Sequence, residues 1–215
     1  MLINYAYTSQ VLPKAILLEP VRYLNYYEIG KPYINCPAIT DFYKNVFVIP
    51  MPLDFYCKIA LDKEQVIFKE SNLQIEVARA FCQIQGSSDL SYDMQFSPLE
   101  ITYWSDEDCV TEAWGPPMNN LLNIGGCYNI KNWIRPNHSA YLIPKKATEL
   151  VLDFKKGNPW LFIKFNSEKK IDLKYNYDLA ILEEAKKMAR SSSLISGVKK
   201  YFKKFNKIRP RKLTK

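Results

Sequence analysis

Histidine is almost missing from this chain: His138 is the only one among 215 residues. One imidazole cannot build a two-His-one-carboxylate iron site within a chain, nor a zinc protease helix of the H-E-x-x-H type. The phosphate-cradling patterns G-x-x-x-x-G-K-[ST] and G-x-G-x-x-G do not occur, and neither does a G-x-S-x-G nucleophile elbow. The five cysteines, Cys36, Cys57, Cys82, Cys109 and Cys127, are odd in number, widely spaced and without a C-x-x-C pair. That excludes a disulfide framework or a zinc site and fits synthesis in a reducing, intracellular place, most of the thiols serving as small apolar core groups. No apolar run approaches membrane-spanning length, and the first residues lack the basic-then-apolar pattern of a secretion signal, so a soluble protein is expected. Seven glycines against thirteen prolines argue against long uninterrupted helices in the first 170 residues.

What remains is rich in strand formers. Apolar residues make up 47% of the chain, enough to bury one sizeable core, or one core and an appendage. The stretch 113–171 organises the rest, with three of the four tryptophans and three apolar runs, Tyr141–Ile143, Leu150–Phe154 and Trp160–Phe165. Pro, Gly, Asn and Lys pairs punctuate these runs as they do successive antiparallel strands, and Lys155-Lys156-Gly157-Asn158 reads as a hairpin turn. Upstream, Val46–Ile49, Phe55–Leu61, Val66–Phe68 and Leu99–Trp104 read as strands, the second and fourth by their period of two. Ala15–Leu18 and Leu73–Val77 are further strand candidates, while Ala78–Ile84 fits strand or helix. Gly86-Ser87-Ser88-Asp89 reads as a loop. Tyr23, Tyr26, Tyr27 and Tyr33, spaced by Pro13, Pro20 and Pro32, form an extended, edge-like arm that packs on its own domain or on a neighbour.

Charge divides the chain unevenly. From Lys186 to Lys215 there are twelve Lys or Arg and no acidic residue, which leaves eighteen basic and twenty-two acidic residues in 1–185, a net of −4. Asp178 is placed to cap a helix with Leu179, Ile181, Leu182, Ala185 and Met188 on one face and Glu183 paired to Lys186 or Lys187. The triplet Ser191–Ser193 interrupts it. A second helix follows, with Leu194, Ile195, Val198, Tyr201, Phe202, Phe205 and Ile208 at helical spacing and Lys199, Lys200, Lys203, Lys204 and Lys207 on the other faces. Such a basic amphipathic helix docks on a protein groove or a second copy, contacts nucleic acid, or lies on an anionic membrane, and the aromatic stripe favours them in that order.

Chemical candidates are few. Asp106, Glu107, Asp108 and Glu112 supply carboxylates for a hard cation, but match no EF-hand spacing and read as a solvated turn. Arg135-Pro136-Asn137-His138 reads as a loop. Trp114, Trp133, Arg135 and His138 mark a possible pocket for a base, a sugar or a peptide, against the plainer reading that Trp133 anchors a loop to the core. No catalytic residue, metal or cofactor is assigned, and an enzyme acting on nucleotides or sugars stays open only around those four residues.

Tyr33-Ile34-Asn35-Cys36-Pro37-Ala38, Asp41-Phe42-Tyr43-Lys44-Asn45, Asn129-Ile130-Lys131-Asn132-Trp133-Ile134-Arg135-Pro136 and Lys156-Gly157-Asn158-Pro159-Trp160 together resemble an uncharacterised family encoded by large T4-like tailed phages, notably those of marine cyanobacteria. The resemblance spans roughly residues 30–175, implies no catalytic residues, and implies residence in the infected host's cytoplasm or in the virion. The turn and strand from Lys155 to Ile163 also resemble the closing strands of trimeric deoxyuridine triphosphatase barrels, without that family's serine- and aspartate-bearing nucleotide motifs. The expectation is a mainly β protein: an antiparallel β-sandwich or jelly-roll-like body over 1–175, and a basic amphipathic helical appendage over 176–215.

Overall fold

A computed structural model describes residues 1–7, 16–27, 36–62, 65–86, 91–118 and 120–191. The chain opens with β1 (Leu2–Tyr7), then β2 (Val21–Arg22) leads directly into the single turn α1 (Tyr23–Tyr26). Residues 16–18 are not a strand; the hydroxyl of Tyr7 donates to the carbonyl of Leu18 instead, and Leu17 packs on the core. Next comes α2 (Pro37–Phe42), with proline in its first turn, where an N–H would have no helical partner anyway. It is followed by β3 (Val46–Pro50), β4 (Phe55–Leu61) and β5 (Val66–Ser71). Leu73, Ile75 and Val77 then depart from the expected strand: Leu73 lies in a bend, and Ile75 and Val77 belong to α3 (Ile75–Phe81). Leu73, Val77 and Phe81 also recur every four residues, and the helix seats Ala78 and Phe81 in the core, so helical spacing prevails.

β6 (Cys82–Gly86) leads to β7 (Ser91–Trp104), the longest strand, which contains Pro98. A proline belongs in a strand only at an edge or a bulge. Here Phe96 pairs with Ser139 and Ile101 with Asn137, so residues 97–100 bulge opposite His138 alone. β8 (Val110–Trp114), β9 (Leu122–Ile124) and β10 (Gly126–Asn129) precede β11 (Pro136–Pro144). The expected loop at residues 135–138 is therefore corrected: Pro136 begins a strand, a position where its missing N–H costs no ladder bond. β12 (Glu149–Phe154), β13 (Pro159–Asn166), β14 (Asp172–Tyr175) and α4 (Leu179–Ser191) complete the described chain.

Three sheets result: β14-β1-β7-β11-β9 with β6 also on β7, β10-β8-β13-β3-β2, and β12-β4-β5. Nearly all pairs are antiparallel; β1 and β14 pair in parallel. The turn at residues 155–158 is tight, with Gly157 at φ +89, but it is not a hairpin. β12 pairs with β4 while β13 pairs with β3, so residues 46–61 and 149–166 form one long ribbon bent at a corner between two sheets. The corner is held by the amide of Met51 donating to Asn158 O (2.7 Å), the amide of Gly157 donating to Met51 O (2.9 Å), and the amide of Lys156 donating to Asp54 Oδ1 (2.7 Å).

One core joins the three sheets. Phe96 of β7 stacks on Phe154 of β12 at 4.8 Å, and Tyr103 meets Phe165 of β13 edge-on at 5.3 Å. Trp160 is fully buried, and its loss to alanine costs about 3–5 kcal/mol. Asn45, at φ +58 and buried, fastens the segment after β13: its Nδ2 donates to Ser167 O and Lys169 O (both 2.9 Å), and its Oδ1 accepts from the amide of Ile171 (3.1 Å). α4 is capped by Asp178, whose Oδ1 accepts from the amides of Ala180 and Ile181. It covers a second cluster, in which Leu182 and Ala185 bury against Ala6, Trp104 and Ile134. Ala6 alternates with the core residues Tyr5 and Tyr7, and Trp104 with Tyr103, which places this cluster on the outer face of the six-stranded sheet. Leu179, expected on the buried face, is exposed, and Glu184 makes an ion pair to Lys187 (4.0 Å). No described helix is long and apolar enough to cross a membrane.

Candidate functional site

The four pocket residues expected from sequence separate onto two faces. Trp133 packs with Ile134 and Trp104 beneath α4, and the Arg135 guanidinium lies 5.8 Å from the Trp133 ring and 6.0 Å from Tyr128. Tyr128 in turn donates its hydroxyl to Asn137 Oδ1 (2.9 Å), so Arg135 sits in an aromatic fork that is itself tied to β11. His138 follows, opposite the bulge of β7. Burial, then the positive charge of Arg135, drives its pKa down from 6.5 to about 4, so it is a neutral imidazole at pH 7. Trp114 lies apart: its ring stacks on Phe162 at 5.8 Å, its cross-strand neighbour on β13.

The remaining candidate groups are taken up by structure. Lys169 binds Glu107 at 2.5 Å, Lys131 binds Asp108 at 2.9 Å, and Asn166 donates to Glu112 at 2.5 Å, so the acidic turn after β7 is a cross-linked surface feature. Among the described residues no three His, Cys, Asp or Glu side chains gather as a metal-holding group. Cys57, Cys82 and Cys109 are buried, Cys36 is half-buried and Cys127 exposed. Burial pushes the Cys57 and Cys109 thiols up to about 11 and Cys82 well above its usual value, the opposite of what a nucleophilic thiol requires.

Two features escape sequence reasoning. One is a groove of about 800 Å³ between the residues just before β9 and the turn that leads from β11 into β12, lined by Leu121, Pro144, Lys146, Thr148, Glu149 and Val151. A smaller cleft of about 320 Å³ lies between β5 and β6 and is crossed by Arg79, which sits over the Phe68 ring. The other feature is an aromatic surface on the five-stranded sheet. Leu161, Ile163 and Phe165 of β13 point into the core, so Phe162 and Lys164 point out. Tyr23 leans on Phe162 at 5.9 Å and stacks on Tyr43 at 4.0 Å with the rings 8° apart. Tyr27 joins Tyr23, and Phe42 carries Lys164 Nζ at 5.1 Å. The described part of the tyrosine-rich arm thus packs on its own body, burying Val46 and Val48 on this face. The density of rings between Tyr23 and Tyr43 was the available signal; the lysine that joins them comes from far along the chain.

The expected docking residues Leu194, Val198, Lys199, Lys200, Tyr201, Phe202, Lys203, Lys204, Phe205, Lys207 and Ile208 lie outside the described residues, as do Tyr33–Asn35 and residues 87–89. The fold and the sites together define a mainly β body, sandwich-like, with a short helix returned onto one face. No protein-family model, curated protein or solved structure matches the chain.

Proposed function

We propose that this chain is a non-enzymatic interaction protein of large tailed phages, a minor virion component or assembly factor that docks on a protein partner through its basic last residues. The observation that carries this reading is the seating of α4. Leu182 and Ala185 are spent on Ala6, Trp104 and Ile134, so the basic segment beyond Ser191 starts from a fixed point on the body. The groups best suited to chemistry support it as well: His138 is half-buried and neutral, three thiols are driven away from thiolate, and Glu107, Asp108 and Glu112 are held by lysine and asparagine. A jelly-roll-like winding of the sandwich suits such a role, because a packed pleated block offers rigid faces for recognition.

The test compares the tagged full chain with a version ending at Ser191 in pull-downs from infected cells. The full chain captures a defined partner, which also appears with it in mass spectra of purified particles. The shortened chain melts at the same temperature and loses the partner. Undiminished capture by the shortened chain refutes the reading.

A further inference from the structure

We propose that the outer face of the five-stranded sheet is a stacking platform for single-stranded nucleic acid. The platform runs from Tyr27 through Tyr23 and Phe162 to Trp114, each ring within 4.6–5.9 Å of the next, with Phe42 beside it. Phe162 is buried beneath its neighbours, but Phe42 is 62% and Tyr27 43% exposed, and Trp114 is half-buried. Rings left open to water on a folded body mark a contact surface when they are contiguous. Phe42 and Tyr27 are joined through the half-buried rings of Tyr43 and Tyr23, and Trp114 lies across buried Phe162 on the same face.

The chemistry favours a base over other occupants. A nucleobase offers a flat π face to each ring whatever its sequence, and its phosphate needs a cation close by. Lys164 provides one: its Nζ lies over Phe42 and makes no ion pair among the described residues, because Glu112 across the ladder is engaged by Asn166. A sugar would need free carboxylates and amides around the rings, and here that carboxylate and that amide bind each other. Beyond Trp114 the neighbouring chain is bare. Gly125 and Gly126 carry no side chain, and a Cβ at Gly126 would meet nothing within 4 Å among the described residues. The basic last thirty residues add charge complementarity at longer range. A duplex hides its base faces and gains only the charge term.

This site stands independently of the partner-docking reading, and its test does not use that partner. A labelled oligodeoxythymidine of about 20 nucleotides is titrated into the full chain at low salt, with binding followed by anisotropy and by tryptophan fluorescence. The expected result is quenching of Trp114 together with binding, and affinity about 5- to 150-fold weaker in Phe42→Ala or Trp114→Ala, the loss of one stacked base. Trp114→Phe retains the affinity and loses the quenching, which separates stacking from misfolding. Leu122→Ala, exposed on β9, behaves as the unaltered chain. The form ending at Ser191 binds more weakly with a shallower salt dependence but keeps the quenching. Unchanged affinity in both alanine variants, equal competition by a duplex of the same length, or quenching that persists in Trp114→Phe each overturns the proposal.

Discussion

Asn45 allows a backbone term and a side-chain term to be weighed separately. It sits in the left-handed region at φ +58 and makes three hydrogen bonds, two part-buried ones given and one buried one accepted, that hold Ser167, Lys169 and Ile171. Replacement by glycine removes those bonds but relieves the backbone, at about 1 kcal/mol per bond, and so costs about 3 kcal/mol. Alanine loses the same bonds and keeps a Cβ in a conformation that costs about 1–2 kcal/mol. Glycine loses about 0.5–1 kcal/mol in chain entropy, so alanine is expected to be the worse by about 1 kcal/mol net. Aspartate at pH 7 keeps the acceptor for Ile171 but turns a carboxylate toward two carbonyl oxygens, and is expected to cost at least as much as glycine. Urea unfolding followed by tryptophan fluorescence, with an unchanged m-value, measures all three. Alanine and glycine falling within about 0.5 kcal/mol of the unaltered chain, the range of ordinary surface changes, would refute the assigned role of this side chain.

Three further outcomes are expected. Gly115→Ala places a Cβ 2.8 Å from that of Ser139 and still closer to the Tyr141 ring, and lowers stability by about 1–3 kcal/mol in the same urea assay. His138 takes a proton near pH 6.5 when unfolded but only near pH 4 when folded. The unfolded chain therefore binds more protons in that window, and stability rises from pH 4 to pH 6.5 by roughly 3 kcal/mol; His138→Gln flattens that slope, and a proton NMR titration of the imidazole places its midpoint near 4. Cys127 reacts first with an aromatic disulfide reagent, while Cys57, Cys82 and Cys109 react only on unfolding, counted as thiolate released before and after denaturant.

Local patterns were legible in the sequence and distant pairings were not. The period of two in Phe55–Leu61 gave β4 its full length, because one face of that strand is buried and the other wet. The same rule failed at Leu73–Val77, which satisfies both periods until Phe81 is counted. Residues 155–158 were correctly read as a turn, with Gly157 at positive φ, yet which strands it joins depends on residues 46–61, and no neighbouring residue carries that information. Trp133 as a loop anchor was legible from an aromatic among turn residues; the partners that cover it, Trp104 and Leu182, were not. Pro136 misled because proline marks strand starts as readily as loops. The aromatic platform was half visible as a tyrosine-rich segment, and became a surface only when β13 brought Phe162 and Lys164 beneath it.

The bent ribbon also bears on how the molecule comes into being. β4 can pair early with β5, and β6 with β7, across short loops. But Phe55 meets Phe154 about a hundred residues later, and β1 waits for β14 at an even greater separation, so the ladders that join the sheets close late. During synthesis one edge of each of β1, β3 and β4 stays without its final neighbour, β14, β13 or β12, until most of the chain given has been made. Slow closure of these ladders is therefore expected from the connectivity, and a rearranged gene that brings residues 46–61 next to 149–166 should speed acquisition of the native state without altering its final stability.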